Sequence, residues 1–203
     1  MTRRYEVTHR TQYWYEDDVT GSYGRAYLLP RDTDEQWCRQ SRLEITPEPS
    51  YVGESADHFG NRSHFIEIQA PHRSLTVTSV SVVDVDRPRP DLAALNTWTV
   101  AAAAEAVRVD PEIDPVARAT FLLPSPQVDE QADRRGALRR FAAEAIDPAA
   151  PLGDALAGLV TLIHTEFAYT SGATTVTTTL AEVLRDRQGV CQDFAHLAVG
   201  VLR

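Results

Sequence analysis

Residues 187–203 read RQGVCQDFAHLAVGVLR, and this stretch decides how the second half of the chain folds. A Gly-Val-Cys stands at the mouth of an apolar helix that starts at Val190 or Cys191, with Phe194, Ala195, Leu197, Ala198, Val201 and Leu202 as its buried side. Cys191 falls in the first turn, where backbone N–H groups lack intrahelical partners and the helix dipole favours negative charge. A thiolate is stabilised in such a place, and the same N–H groups can receive the oxyanion of an attacked carbonyl. Gly189 removes side-chain bulk beside the thiol. Those are the requirements of a thiol nucleophile. A packing role fits equally well locally, because Cys is among the most often buried residues and Cys191 lies three residues before Phe194. Local features leave both readings open.

Upstream, the same 3.6-residue period continues. Thr179-x-x-Glu182 is a capping box ahead of Leu180, Val183 and Leu184, and Gly189 is expected as the left-handed stop of that helix. Leu152, Leu156, Leu159, Val160, Ile163 and Phe167 form one helical stripe. Leu138, Phe141, Ala142, Ala145 and Ile146 form another, ended by DPAAP. TWTVAAAAEAVRV, before LLPSP, suits either a short helix or a packed connector.

The first half has period two. From Arg3 to about Val85, Tyr5, Val7, Tyr13 and Tyr15 alternate with Glu6, Thr8, Gln12 and Trp14, as one long bent strand or a strand pair. WCRQSRLEI puts Trp37, Leu43 and Ile45 on one face and Cys38, Gln40, Arg42 and Glu44 on the other. DHFGN is turn chemistry, and SLTVTSVSVVDV closes the set. A sandwich or partly open barrel buries such strands. The prolines of DRPRPDLAALN mark a boundary near residues 86–91.

The totals narrow the function classes. A net charge of -9 argues against nucleic acid or an anionic membrane as the main partner, and every basic residue of the 20 is Arg. Two distant cysteines, Cys38 and Cys191, make no disulfide framework, and MTRRYEV has no apolar signal core. The expected setting is a reducing, cytoplasmic one. Neither calcium-loop nor zinc-site spacing occurs, so no metal and no cofactor is expected.

GVCQDFAH, within residues 187–203, resembles the catalytic-helix motif of the bacterial transglutaminase-like superfamily. FAYTSGATTVTTTLAEVL (167–184) is similar to the approach to that cysteine, and FLLPSPQV (121–128) to the entry of the catalytic domain. YEVTHRTQYWYEDDV, LLPRDTD and DHFGNRSHFIEI resemble the β-rich region that precedes it. The resemblance implies an α+β chain: a β-rich, sandwich-like N-terminal region over 1–86, a connector over 87–125, and over 126–203 the helical first part of a papain-like core. It implies Cys191 as nucleophile, with the partner His and Asp supplied by sequence after the cysteine helix. The 203-residue chain is therefore expected to be truncated before its sheet and inactive alone, and to self-associate through an uncovered C-terminal helix.

The histidines present are not expected to replace the missing partner. His196 is five residues along the same helix, about 140° around the axis from Cys191. His164 is expected as a satisfied, partly buried residue, and His9, His58, His64 and His72 belong to the β-region. Tyr169 and Thr174 either shape the approach to the thiol or serve as structural parts. Two functions follow. One is thiol-dependent acyl chemistry on amide bonds of a polypeptide, by hydrolysis or by transfer from Gln to an amine. The other is a non-catalytic protein-binding or assembly module of the same family, without a working Cys-His-Asp triad.

Overall fold

A computed structural model describes residues 2–128, 136–175 and 177–203. The fold is α+β, and the chain divides into two compact units, Met1–Arg89 and Pro90–Arg203. Among the described residues no helix is long and apolar enough to cross a membrane.

The first unit has six strands: β1 (Arg3–Val19), β2 (Ser22–Leu29), β3 (Gln36–Thr46), β4 (Tyr51–Ala56), β5 (Arg62–Ile68) and β6 (His72–Val85). They form two three-stranded antiparallel sheets, ordered β1-β6-β3 and β2-β5-β4. Val77 and Val83 of the first sheet and Ile66 and Ile68 of the second are buried, as period-two alternation requires. Side chains tie the sheets together. Arg62 donates to the Ser41 hydroxyl at 2.8 Å, and Ser22 Oγ lies 2.9 Å from His72 Nε2. The β4–β5 turn is closed by Asp57, which accepts from the amides of Phe59 and Asn61, with Gly60 at φ 75.

One expected face assignment changes. The register of β3 on β6 shifts between Cys38 and Gln40, leaving Arg39 as the extra residue of a bulge. Cys38 therefore stands opposite Val83, sharing its face with Leu43 and Ile45, while Trp37 stands opposite Asp84 on the other face. The bulge has a use. Asp84 is buried on the central strand and accepts from Arg4 of β1 and from Arg39, at 2.6 and 2.8 Å.

These hydrogen bonds, with Arg4's the stronger cause and Arg39's next, hold the Asp84 carboxyl far below the usual range. A carboxyl depressed on folding contributes stability that is present above the unfolded value of about 3.9 and is lost as pH falls through the folded one. The β-unit is thus expected to weaken progressively below about pH 4, and Asp84→Asn to flatten part of that slope. Amide exchange of β6 against pH measures it. Identical slopes in the two proteins would remove Asp84 from the account.

The second unit contains α1 (Leu92–Leu95), α2 (Val100–Val109), α3 (Pro115–Leu122), α4 (Ala137–Ala145), α5 (Leu152–Glu166), α6 (Leu180–Asp186) and α7 (Cys191–Leu202). Two short strands, β7 (Ala168–Tyr169) and β8 (Gln188–Gly189), pair in parallel. Residues 92–122, read as a connector, thus carry three helices, none with a buried residue. The capping box of α6 is present: Thr179 N donates to Glu182 Oε2 at 2.8 Å, and Glu182 N donates back to Thr179 Oγ1. Leu138, Phe141, Leu159, Ile163, Phe167, Val183 and Leu184 make a core with Leu197 and Val201 of α7. Phe194 and Ala198 pack against it. Of the apolar side expected for α7, Leu197 and Val201 are thus covered by α4, α5 and α6 and Phe194 and Ala198 in part, while Ala195 and Leu202 lie exposed, as does Val199. Val160, read on the stripe of α5, is exposed too.

Candidate active site

Cys191 is the first residue of α7, a free cysteine and an exposed residue. This differs from a core cysteine, which would sit with Leu197 and Val201. The packing alternative requires burial, and Cys191 is instead an exposed residue in the first turn of α7. Val190 is the N-cap and has no side-chain acceptor to offer its own helix. The cap is made in the other direction: Val190 N donates to Asp193 Oδ2 at 2.8 Å.

Asp193 is the centre of the local structure. It is only 5% exposed, and the same Oδ2 accepts from Thr174 Oγ1 at 2.7 Å. One carboxylate oxygen therefore joins the loop after β7 to the start of the cysteine helix. An acid in the first turn is also favoured by the helix dipole. Thr174 has a structural part here, of the two roles considered for it. Tyr169 lies 67% exposed, paired with Gly189 through β7 and β8, and Thr170 N donates to Gly189 O at 2.9 Å.

Gly189 has a different reason from the one expected. Its backbone is extended, and the left-handed stop of α6 is Arg187, at φ 51. Arg187 is held there from outside the backbone. Its guanidinium sits over the Phe167 and Phe141 rings, 4.8 and 5.3 Å from their centroids, and pairs with Glu166 at 3.1 Å. At Gly189, a Cβ would stand 2.9 Å from Asp193 Oδ2 and 3.0 Å from Asp193 Cβ. The missing side chain makes room for Asp193.

The histidines of this unit are His164 and His196. His164 is exposed in the last turn of α5, not partly buried as expected; a position on the helix's outer face leaves it to solvent. His196 is half-buried on α7. Neither makes a hydrogen bond or ion pair with Cys191. Cys38, on β3 in the first unit, is half-buried and its thiol donates to Gln40 O. Val176, inside the Thr-rich approach to the cysteine, lies outside the described residues. The Asp193–Thr174 link had a sequence signal, an acid at the third position of a helix, but its partner across 19 residues had none.

Residues 5–84 match the bacterial transglutaminase-like N-terminal region. An uncharacterized protein of Mycobacterium tuberculosis is 44% identical over 206 residues, a match that covers 100% of this chain and 62% of that protein. One of Mycobacterium leprae is 31% identical over 201 residues, covering 98% of this chain and 66% of its own. The chain thus spans less than two thirds of the length of these curated relatives. Among solved structures, a protein described as a putative cysteine protease from Cytophaga hutchinsonii superposes with a TM-score of 0.74 at 18% identity. That match covers 99% of this chain and 65% of the other, and it bears on the fold alone.

Proposed function

We propose, from the match of residues 5–84 to the bacterial transglutaminase-like N-terminal region, that Cys191 is the nucleophile of a thiol-dependent acyl-transfer site that acts on amide bonds of a polypeptide. One observation carries the reading: a free, exposed cysteine as the first residue of a helix whose N-terminus is pinned by a buried carboxylate. In this reading the thiolate attacks the amide carbonyl, and the oxyanion is received by first-turn N–H groups. Collapse breaks the C–N bond and leaves a thioester. The departing amine takes a proton, assigned by the family resemblance to a histidine that follows the cysteine helix. Water then completes hydrolysis, or a second amine completes transfer. A thiol nucleophile works only while reduced, which fits a reducing, cytoplasmic setting.

Iodoacetamide under native conditions tests the presentation of the thiol. Cys191 is expected to be alkylated well before Cys38, with peptide mapping to assign each product. Modification of Cys38 first, or of both at equal rates, would favour the non-catalytic module.

A further inference from the structure

The two sheets of the first unit do not cover each other completely. Tyr5, Val7 and Tyr13 of β1 alternate on the face shared with the buried Val83 and Val77 of β6, yet they are 45, 46 and 50% exposed. The second sheet ends at β2, and beside it opens a cleft of about 520 Å³. Its lining has two kinds of wall. From the first sheet come alternate residues, Thr11, Tyr13 and Tyr15 of β1 with Leu75 and Val77 of β6, as expected of a sheet face. From the second sheet come Ile66 and Ile68 of β5 and the unbroken run 21–28, which is Gly21 with β2 as far as Leu28, as expected of a strand's edge.

That edge is open. β2 pairs with β5 alone, and among the described residues its backbone makes no other hydrogen bond. Row ends of N–H and C=O groups on an uncovered edge are a template for another strand. The cleft also has a charge signature. In a chain with 29 acidic residues, no acidic residue lines it; its one charged residue is Arg25, which stands opposite Phe65 on the outer face of the second sheet, where a residue of an added strand would lie beside it. Among the described residues the Arg25 guanidinium has no hydrogen bond or ion pair, while its backbone lies in the ladder with β5.

We propose that this cleft binds an extended acidic peptide segment of another protein, which adds as a fourth strand to the free edge of β2. Its backbone pairs with β2, its inward side chains pack on Tyr13 and Tyr15, and a carboxylate meets Arg25. A second copy of this chain is a poor occupant. In the central register that sets Arg25 opposite Arg25, antiparallel pairing of two β2 edges brings two guanidinium groups together. The cleft is lined by residues of the first unit, and its proposed role does not depend on the chemistry of Cys191.

The test uses the full chain and a displayed library of random nonapeptides. Selected peptides are expected to carry an acidic residue within β-branched or aromatic neighbours and to slow amide exchange in residues 21–28. Arg25→Glu should weaken them at least about tenfold and shift selection towards basic peptides. N-methylation of alternate amides on the peptide edge facing β2 should abolish binding while leaving the protein and peptide side chains unchanged. Binders that protect other residues, binding indifferent to Arg25→Glu or to N-methylation, or a library without any binder would each overturn the proposal. A shift of the free chain to dimers that protects 21–28 would assign the edge to a second copy and overturn it as well.

Discussion

Leu197→Ala is expected to destabilise the helical unit by an amount toward the upper end of the roughly 2–5 kcal/mol typical of such truncations. Leu197 is 0% exposed and sits in the core with residues of α4, α5 and α6. Removing its side chain takes away transfer energy and leaves a cavity that three helices would have to collapse to fill. Far-UV circular dichroism measures this without interference, because the helices α1 to α7 all lie in the second unit. Urea unfolding of the helical signal should shift to lower midpoint while the β-unit's transition stays in place. A cost below about 1 kcal/mol would show that α7 is not docked as described.

Asp193→Ala is expected to have the next largest effect. The substitution leaves Val190 N and Thr174 Oγ1 without their acceptor, and hydrogen bonds to a charged group contribute about 1.5–3 kcal/mol each. Water reaching the new space recovers part of that, so a net loss of about 2–4 kcal/mol is expected. The local consequence matters more. The loop after β7 is released from the cysteine helix, and the alkylation rate of Cys191 should change, whereas that of Cys38 should not. Asp193→Asn keeps an acceptor oxygen and should fall between wild type and Ala. Equal stability of all three proteins would mean that the carboxylate does not organise the site.

The residues differ in how much of this they announced. The period-two half was legible because alternation is a local property, and β1 to β6 occupy the expected stretch. What local alternation could not reveal was the bulge at Arg39, which exists to aim a side chain at Asp84, 45 residues away. The capping box at Thr179 was legible because both partners lie within three residues. The stop of α6 was misplaced for the opposite reason. Glycine is the usual left-handed residue, but here Arg187 takes that conformation, held by rings from α4 and the end of α5.

Position on the helix made Cys191 a candidate, and its exposure could be decided only by where the core falls. A stripe from Phe194 to Val201 predicts a buried side, but not whether the first turn belongs to it. The same limit applies to the covered face of α7. Sequence periodicity marks a face as apolar without saying which elements bury it, and α4, α5 and α6 do so here.

The most direct test of the account is acylation of the native chain by p-nitrophenyl acetate. The activated ester needs a nucleophile but no proton donor, because p-nitrophenolate leaves readily, so the thiol is examined apart from any histidine. The thiolate attacks the ester carbonyl, p-nitrophenolate departs, and the acetyl group remains as a thioester. Intact mass and peptide mapping should find a single acetyl group on the peptide carrying Cys191, labile to hydroxylamine and absent from Cys191→Ser under the same conditions. Acetylation of Cys38 first, or a native chain that reacts no faster at Cys191 than after unfolding, would contradict the claim that this fold presents Cys191 as a nucleophile.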